Sequence, residues 1–312
     1  MARVKCYPVK CRKSDNDALI FMRLSEINIY PVKSLKGISV ESATVEDRGL
    51  QYDRRWMLTT PDGMFFTQRE FPQMAAVTVQ VTGDGLRVTS RKAGEMNIPF
   101  EPDKGERKPV TIWLSVCEGL IYNGEVSEWF SDAIGTDCRL VYMPDDSRRN
   151  VNPRFNENDD VVSFADGYPL MLLSEASLAD LNDRLAANAD ELFEPLPMNR
   201  FRPNIVVSGS DAFAEDNWQR MRVGDAFFRS TKPCERCVIT TVDQSKGEFT
   251  GKEPLKTLAL FRMAKDVMPK RYESLGVGAN AVLFGQNLIA ESVGETIKVG
   301  DEIQVRDAYN SY

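Results

Sequence analysis

Short runs of alternating apolar and polar residues dominate the first half of the chain. Their period of two is what a half-buried β-strand requires. Residues 23–32, RLSEINIYPV, are the first clean example. In RRWMLTTPDGMFFTQRE the turn residues Pro61-Asp62-Gly63 separate two apolar-rich runs, and Gly83-Asp84-Gly85 do the same in AAVTVQVTGDGLRVTS, so both stretches predict hairpins. VTIWLSV (110–116) and CRLVYMP (138–144) are β-branched or aromatic enough to predict two further strands. Only VSEWFSDAIG has helical spacing there, ending at Gly135. The first half is therefore expected to be mostly β and barrel-like.

PDDSRRNVNPRFNENDD, residues 144–160, is polar, charged and proline-containing, the composition of a linker or long surface loop. Beyond it the period changes. SEASLADLNDRLAANADEL carries Leu178, Leu181 and Leu185 at helical spacing, with Ser177 and Asp180 in capping-box register. Strand patterns return in NIVVSG, MRVGDAFFRS, CVITTVD, NAVLFGQNLIAE and EIQVRD, and EPLKTLALFR fits a short helix. The resulting expectation is a β-rich α+β chain of two parts, 22–145 and 146–308, with residues 1–21 as an appendage before the first strand pattern and 309–312 as a tail. YPVK occurs at 7–10 and again at 30–33, too little to make a repeat architecture.

Composition narrows the function. At 312 residues the chain can hold about two domains. With 42% hydrophobic and 27% charged residues it reads as globular rather than disordered. A net charge of -7 opposes general binding of nucleic acid or anionic membranes. No apolar run is long enough to span a bilayer and the first residues lack the apolar middle of a signal peptide, so no membrane insertion and a cytoplasmic location are expected. Six cysteines are too sparse for a disulfide scaffold. The absence of histidine excludes Ser-His-Asp and Cys-His catalysis and any histidine-ligated metal. Chemistry must rest on thiolate, carboxylate, lysine, arginine or a cofactor.

The stretch TKPCERCVITTVD concentrates that question, because Cys234 and Cys237 have C-x-x-C spacing. A thioredoxin-like pair needs a helix after the first cysteine, whereas VITTV favours a strand. Structural zinc needs two more ligands, and only Cys6 with Cys11 or the separated Cys117 and Cys138 could supply them. Two core cysteines are the bland reading, opposed by Lys232, Glu235 and Arg236 around the pair. A single thiolate beside positive charge also suits a metal carried by an anionic organic cofactor.

Beyond this pair, YPVKSLKG, DRRW, SFADGYPLMLLSEASLADLN, FRPNIVVSG, CERCVITTVD, KEPLKTLALFR, FGQNL and IKVGDEI follow one another in the order found in MOSC-domain molybdenum enzymes. From about residue 22 to 308 the chain resembles the family that includes the mitochondrial amidoxime reducing component and bacterial YcbX-like proteins. That resemblance implies a MOSC N-terminal β-barrel domain followed by a MOSC β-barrel domain with a few helices. It implies a molybdenum–molybdopterin cofactor whose metal takes Cys237 as its protein ligand and catalytic thiolate, with Cys234 a neighbour. It also implies cofactor contacts at Lys33, Ser34, Arg54, Gly167, Tyr168, Arg202, Asn204 and Arg236. The implied reaction is reduction of N-hydroxylated bases, hydroxylamines or amidoximes, and the alternative is a sulfur carrier or cofactor carrier using a Cys237 persulfide. Protons would come from water or from a carboxylate such as Asp243 or Glu235. Electrons would come from a separate partner, a flavin reductase or a ferredoxin-like or cytochrome b5-like protein, since the chain has no dinucleotide fingerprint or iron–sulfur cysteine run.

Overall fold

The computed structural model describes residues 21–122, 124–189 and 193–308. The expected tail, and the appendage apart from residue 21, lie outside the described residues, together with Cys6, Cys11 and the first YPVK.

Alternating runs with one apolar face became strands, as their periodicity requires. The largest sheet has eight strands in the spatial order 38–40, 23–29, 205–208, 170–174, 283–290, 226–235, 218–223 and 303–308. It curls until its ends approach, where Arg23 bridges Glu302 and the Leu24 and Ile303 amides donate across the gap. Its inner face buries Leu24, Ile27, Leu172, Val207, Met221 and Phe228, among others. The first described strand thus pairs with Ile205–Ser208, and 296–298 pairs with 42–44, so the second half of the chain shares its sheets with the first. A four-stranded sheet (56–59, 139–142, 115–121, 106–112) and a three-stranded meander (78–81, 85–90, 94–99) surround a separate core built on Trp56, Phe130 and Leu140.

Both predicted turns at Pro61-Asp62-Gly63 and Gly83-Asp84-Gly85 form, the first closed by the Thr60 amide donating to the Met64 carbonyl at 2.8 Å. The helix Gly124–Ile134 stops at Gly135, whose φ of 86° is left-handed. Three expectations shift. VTIWLSV is a hairpin rather than one strand, because Trp113 takes a φ of 55° and reverses the chain between Ile112 and Ser115. The helix Glu175–Ala187 is capped by Ser174, whose Oγ accepts from the Ser177 amide, so the Ser177–Asp180 register is displaced by three residues. Val238–Thr241, expected as a strand, is a 3-10 turn. No helix among the described residues is long and apolar enough to cross a membrane.

Residues 144–160 contain no regular element, as their composition predicts, yet they do not lie wholly on the surface. Arg149 is buried and its guanidinium donates to the carbonyls of Ser163, Ala165 and Asp166. That clamp fixes the loop in which Asp166, Gly167 and Tyr168 sit.

Candidate active site

Tyr30 and Pro31 end the strand Arg23–Ile29, and the Lys33 amide then donates to the Trp56 carbonyl at 2.8 Å. This turns the Lys33 side chain inward. It is buried, paired with Asp166, and lies 5.5 Å from the centre of the Phe65 ring. Burial lowers its pKa to about 8, against the pull of Asp166. Ser34 follows with a φ of 66°, its carbonyl accepting from Gln68 Nε2 at 2.7 Å.

Arg54 and Arg202 approach Tyr30 from other segments. Their guanidinium carbons lie 4.3 and 4.2 Å from the ring centre, and burial pushes the phenol up to about 12 even though both cations oppose the shift. Arg54 also donates to Asp53 Oδ2 at 2.6 Å and Asn204 Oδ1 at 2.8 Å. Asn204 is buried and its side chain makes two further bonds, from the Met171 amide at 3.2 Å and to the Asn28 carbonyl at 3.0 Å. It therefore positions Arg54 and ties two strands of the large sheet. Burial lowers the Arg202 pKa to about 10, with Arg54 adding repulsion. Ser34, Arg54 and Arg202 are three of the seven non-glycine residues with left-handed φ among the described residues. Such backbone is costly and persists where surrounding contacts impose it.

Asp166 joins Lys33 to a residue that the motifs did not nominate. Arg69 donates to Asp166 Oδ2 at 3.1 Å, and its guanidinium lies 4.8 Å from the centre of the Trp113 ring. Burial works against its charge, but Asp166 and then Cys237 hold the Arg69 pKa above its ordinary value. Asp166 is desolvated by the cleft walls, yet Lys33 and Arg69 keep its carboxyl well below the usual range. Its side chain is 49% exposed, so the shared anion faces the cleft opening.

The two cysteines differ in setting. Cys234, near the end of the strand Ala226–Glu235, packs against the cluster containing Phe201, Leu258 and Phe284, and burial raises its thiol pKa against the effect of Arg236. Cys237 opens the 3-10 turn and is half-buried. Arg236 between them turns into the protein, donating to the Phe284 carbonyl at 2.7 Å, the Phe201 carbonyl at 2.9 Å and Met171 Sδ at 3.3 Å. Those bonds make it a brace for the turn. Asp243 accepts from Ser245 and from the Lys246 amide, while Glu235 pairs with Lys232.

One cleft is lined by Lys33, Ser34, Arg54, Gly167, Tyr168, Arg202, Asn204, Arg236 and Cys237, all nine residues expected from the sequence motifs. A Cβ on Gly167 would enter open space, and Tyr168 packs edge-to-face on Phe155. Asp243 does not line the cleft, whereas Arg69, Asp166, Arg200 and Glu235 do. Four cysteines, Cys117, Cys138, Cys234 and Cys237, are free, and no cluster of three cysteine or carboxylate ligands exists among the described residues, which removes the zinc reading there.

Residues 21–137 match the MOSC N-terminal beta barrel domain and residues 159–304 match the MOSC domain. The chain is 33% identical to mitochondrial amidoxime-reducing component 1 of Xenopus laevis, covering 90% of this chain and 81% of that protein. It is 32% identical to the human protein of the same name, covering 90% and 82%. The molybdenum cofactor sulfurase of Oryza sativa is 32% identical over 88% of this chain, which spans only 35% of that longer protein. The chain belongs to the MOSC family. Its MOSC N-terminal region contributes Lys33, Ser34, Arg54 and Arg69 to the cleft, and its MOSC domain contributes Asp166, Arg202 and Cys237, so both matched regions build one site.

Proposed function

We propose that the cleft holds a molybdenum–molybdopterin cofactor and that the protein reduces N-hydroxylated compounds: N-hydroxylated bases, hydroxylamines or amidoximes. The observation that carries this reading is the convergence of residues from five separate motifs on one cationic cleft around Cys237. The donor set fits an anionic cofactor. Lys33, Arg69 and Arg202 offer positive charge, and Arg69 Nη1 is buried without a hydrogen-bond partner. Cys237 would be the protein ligand to the metal, and the Asn204–Arg54 contact would hold Arg54 in place for the pterin.

The cofactor supplies two-electron chemistry when bound. Overall, R–NHOH takes up two electrons and two protons, its N–O bond breaks, and R–NH2 and water are released. The chain's own residues supply orientation and charge. Lys33 Nζ holds a proton below about pH 8 inside a cleft that has no histidine. Asp166 keeps Lys33 and Arg69 side by side, so their charges bear on the same face of the cleft. Electrons enter from a separate donor protein, a flavin reductase or a ferredoxin-like or cytochrome b5-like carrier.

The test is elemental analysis of the purified chain followed by conversion of benzamidoxime to benzamidine with a chemical reductant. Bound molybdenum with turnover is the expected result. Similarity to a molybdenum cofactor sulfurase supports a second reading, in which Cys237 carries a persulfide or the cleft passes the cofactor onward. Full molybdenum occupancy without turnover, or an extra sulfur on Cys237 by mass spectrometry, would favour that carrier.

A further inference from the structure

The segment 52–56 faces two cavities. Arg54 lines the cleft, whereas Tyr52, Arg55 and Trp56 line a second cavity that shares no residue with it. Its wall is aromatic. Tyr52 and Phe100 stack with ring centres 5.1 Å apart and planes within 7°, and Trp56 packs on Tyr142 at 5.4 Å. Tyr52 holds this position from a left-handed φ of 68°, a conformation that a bulky side chain adopts only under constraint.

The charges around the rings are unevenly presented. Arg48 is buried and donates to Asp47 and to the carbonyls of Asp145 and Ser147. Arg55 is likewise buried and donates to Asp145, Tyr142 and the Met143 carbonyl. The carboxylates are the outward partners, with Asp145 87% and Asp47 54% exposed. Glu46 stands beside them, its carboxyl pushed up by burial against the pull of Arg55. Trp56 and Tyr142 are buried, with Arg55 over the Tyr142 ring, so a molecule entering meets the half-buried Tyr52 and Phe100 rings and carboxylate oxygens, while the guanidinium groups lie behind them. Aromatic faces with a carboxylate rim select a flat organic cation.

We propose that this second cavity binds a flat, positively charged heteroaromatic molecule, seated against the Tyr52–Phe100 stack with its charge met by Asp47, Asp145 and Glu46. The site is independent of molybdenum and of turnover. The test is a titration of the 15N-labelled protein, as purified, with 1-methylquinolinium, and with neutral quinoline and 2-naphthoate as ring-matched controls. The chain has four tryptophans. Trp56 Nε1–H donates to the Phe100 carbonyl and Tyr122 hydroxyl, so its indole signal reports the cavity; Trp113, resting on Arg69, reports the cleft. The expected result is a saturable shift of the Trp56 signal, with quinoline and naphthoate each about fivefold or more weaker. Asp47→Asn and Asp145→Asn should each weaken the cation but leave quinoline affinity as it was. Asp47→Asn serves alone if the other variant does not fold. No saturable shift at Trp56, equal affinity for cation and naphthoate, or a shift confined to Trp113 would overturn the assignment.

Discussion

Cys234 and Cys237 are three positions apart but differ in setting. Burial raises the thiol pKa of Cys234, whereas Cys237 lies beside Arg69 and helps to hold that guanidinium's pKa up. Cys237→Ala should reduce N-reduction to background and remove the molybdenum–thiolate signature from the absorption spectrum, while Cys234→Ala keeps measurable turnover. Equal loss from both would return the redox-pair reading. Lys33 provides a pH test with two readouts of opposite sign. Its folded-state pKa, about 8, lies below the ordinary lysine value of 10.5, so between these limits the unfolded chain binds a proton that the folded chain lacks. This group's contribution to stability of the cofactor-free protein therefore rises with pH across that window. Retention of an anionic pterin should fall over the same range, its midpoint moved upward by the bound anion. Urea midpoints and pterin fluorescence between pH 7 and 10 check both directions. Lys33→Ala or Arg202→Ala should cost tenfold or more in pterin affinity, on the scale of a charge-assisted bond of about 1.5–3 kcal/mol. The residues legible in the sequence were those inside recognisable motifs, such as Lys33 and Ser34 in YPVKSLKG. Arg69 and Arg149 were not legible, because each acts through partners about a hundred or more, or fifteen, positions away, and nothing local marks a surface-type residue for burial.

At the scale of elements, period-two strands and glycine turns could be read directly, and the errors arose where side-chain hydrogen bonding or, at Trp113, a left-handed backbone overrode propensity. In VITT, Thr240 Oγ1 donates to the Cys237 carbonyl at 3.0 Å and Thr241 Oγ1 to the Val238 carbonyl at 2.8 Å, which favours a tight turn over a strand despite the β-branched residues. Ser174 similarly captures the helix start because Glu215, buried beside it, accepts from its hydroxyl and from Ser177. Ser174→Ala should cost about 1–2 kcal/mol in urea unfolding, the loss of a cap, without altering the cleft. Gly285 is different, since its φ is 81° and a Cβ would stand 2.6 Å from the Leu172 carbonyl, 3.0 Å from Met171 Sδ and 3.4 Å from Arg236 Nη2. Gly285→Ala should therefore destabilise by about 1–3 kcal/mol. It should also lower pterin retention, by pushing on the Arg236 brace that shapes the Cys237 turn. A variant with reduced stability and normal retention would show that the brace does not set the turn.

At the scale of the molecule, the two matched regions cannot be separated without dividing both the large sheet and the cleft. Residues 23–29 and 38–40 form one end of the eight-stranded sheet whose other six strands come from 170–308, and 296–298 returns to pair with 42–44. Lys33, Ser34, Arg54 and Arg69 lie on one side of any cut in 144–160, and Cys237, Asp166 and Arg202 on the other. The polar composition of 144–160 made it resemble a linker because composition does not reveal that Arg149 is buried, or that Asp160 pairs with buried Arg229. A fragment of residues 146–308 would expose the backbone edge of Ile205–Ser208 and the apolar side chains that Leu24 and Ile27 cover. The intact chain should thus unfold in urea in a single transition, with tryptophan fluorescence and far-ultraviolet circular dichroism coincident. Neither 22–145 nor 146–308 expressed alone should retain pterin, and co-expression of the two should restore some retention by reassembling the sheet. Two resolved transitions, or pterin bound by 146–308 alone, would mean that Lys33, Arg54 and Arg69 are dispensable to the cleft and that the shared sheet does not couple its halves.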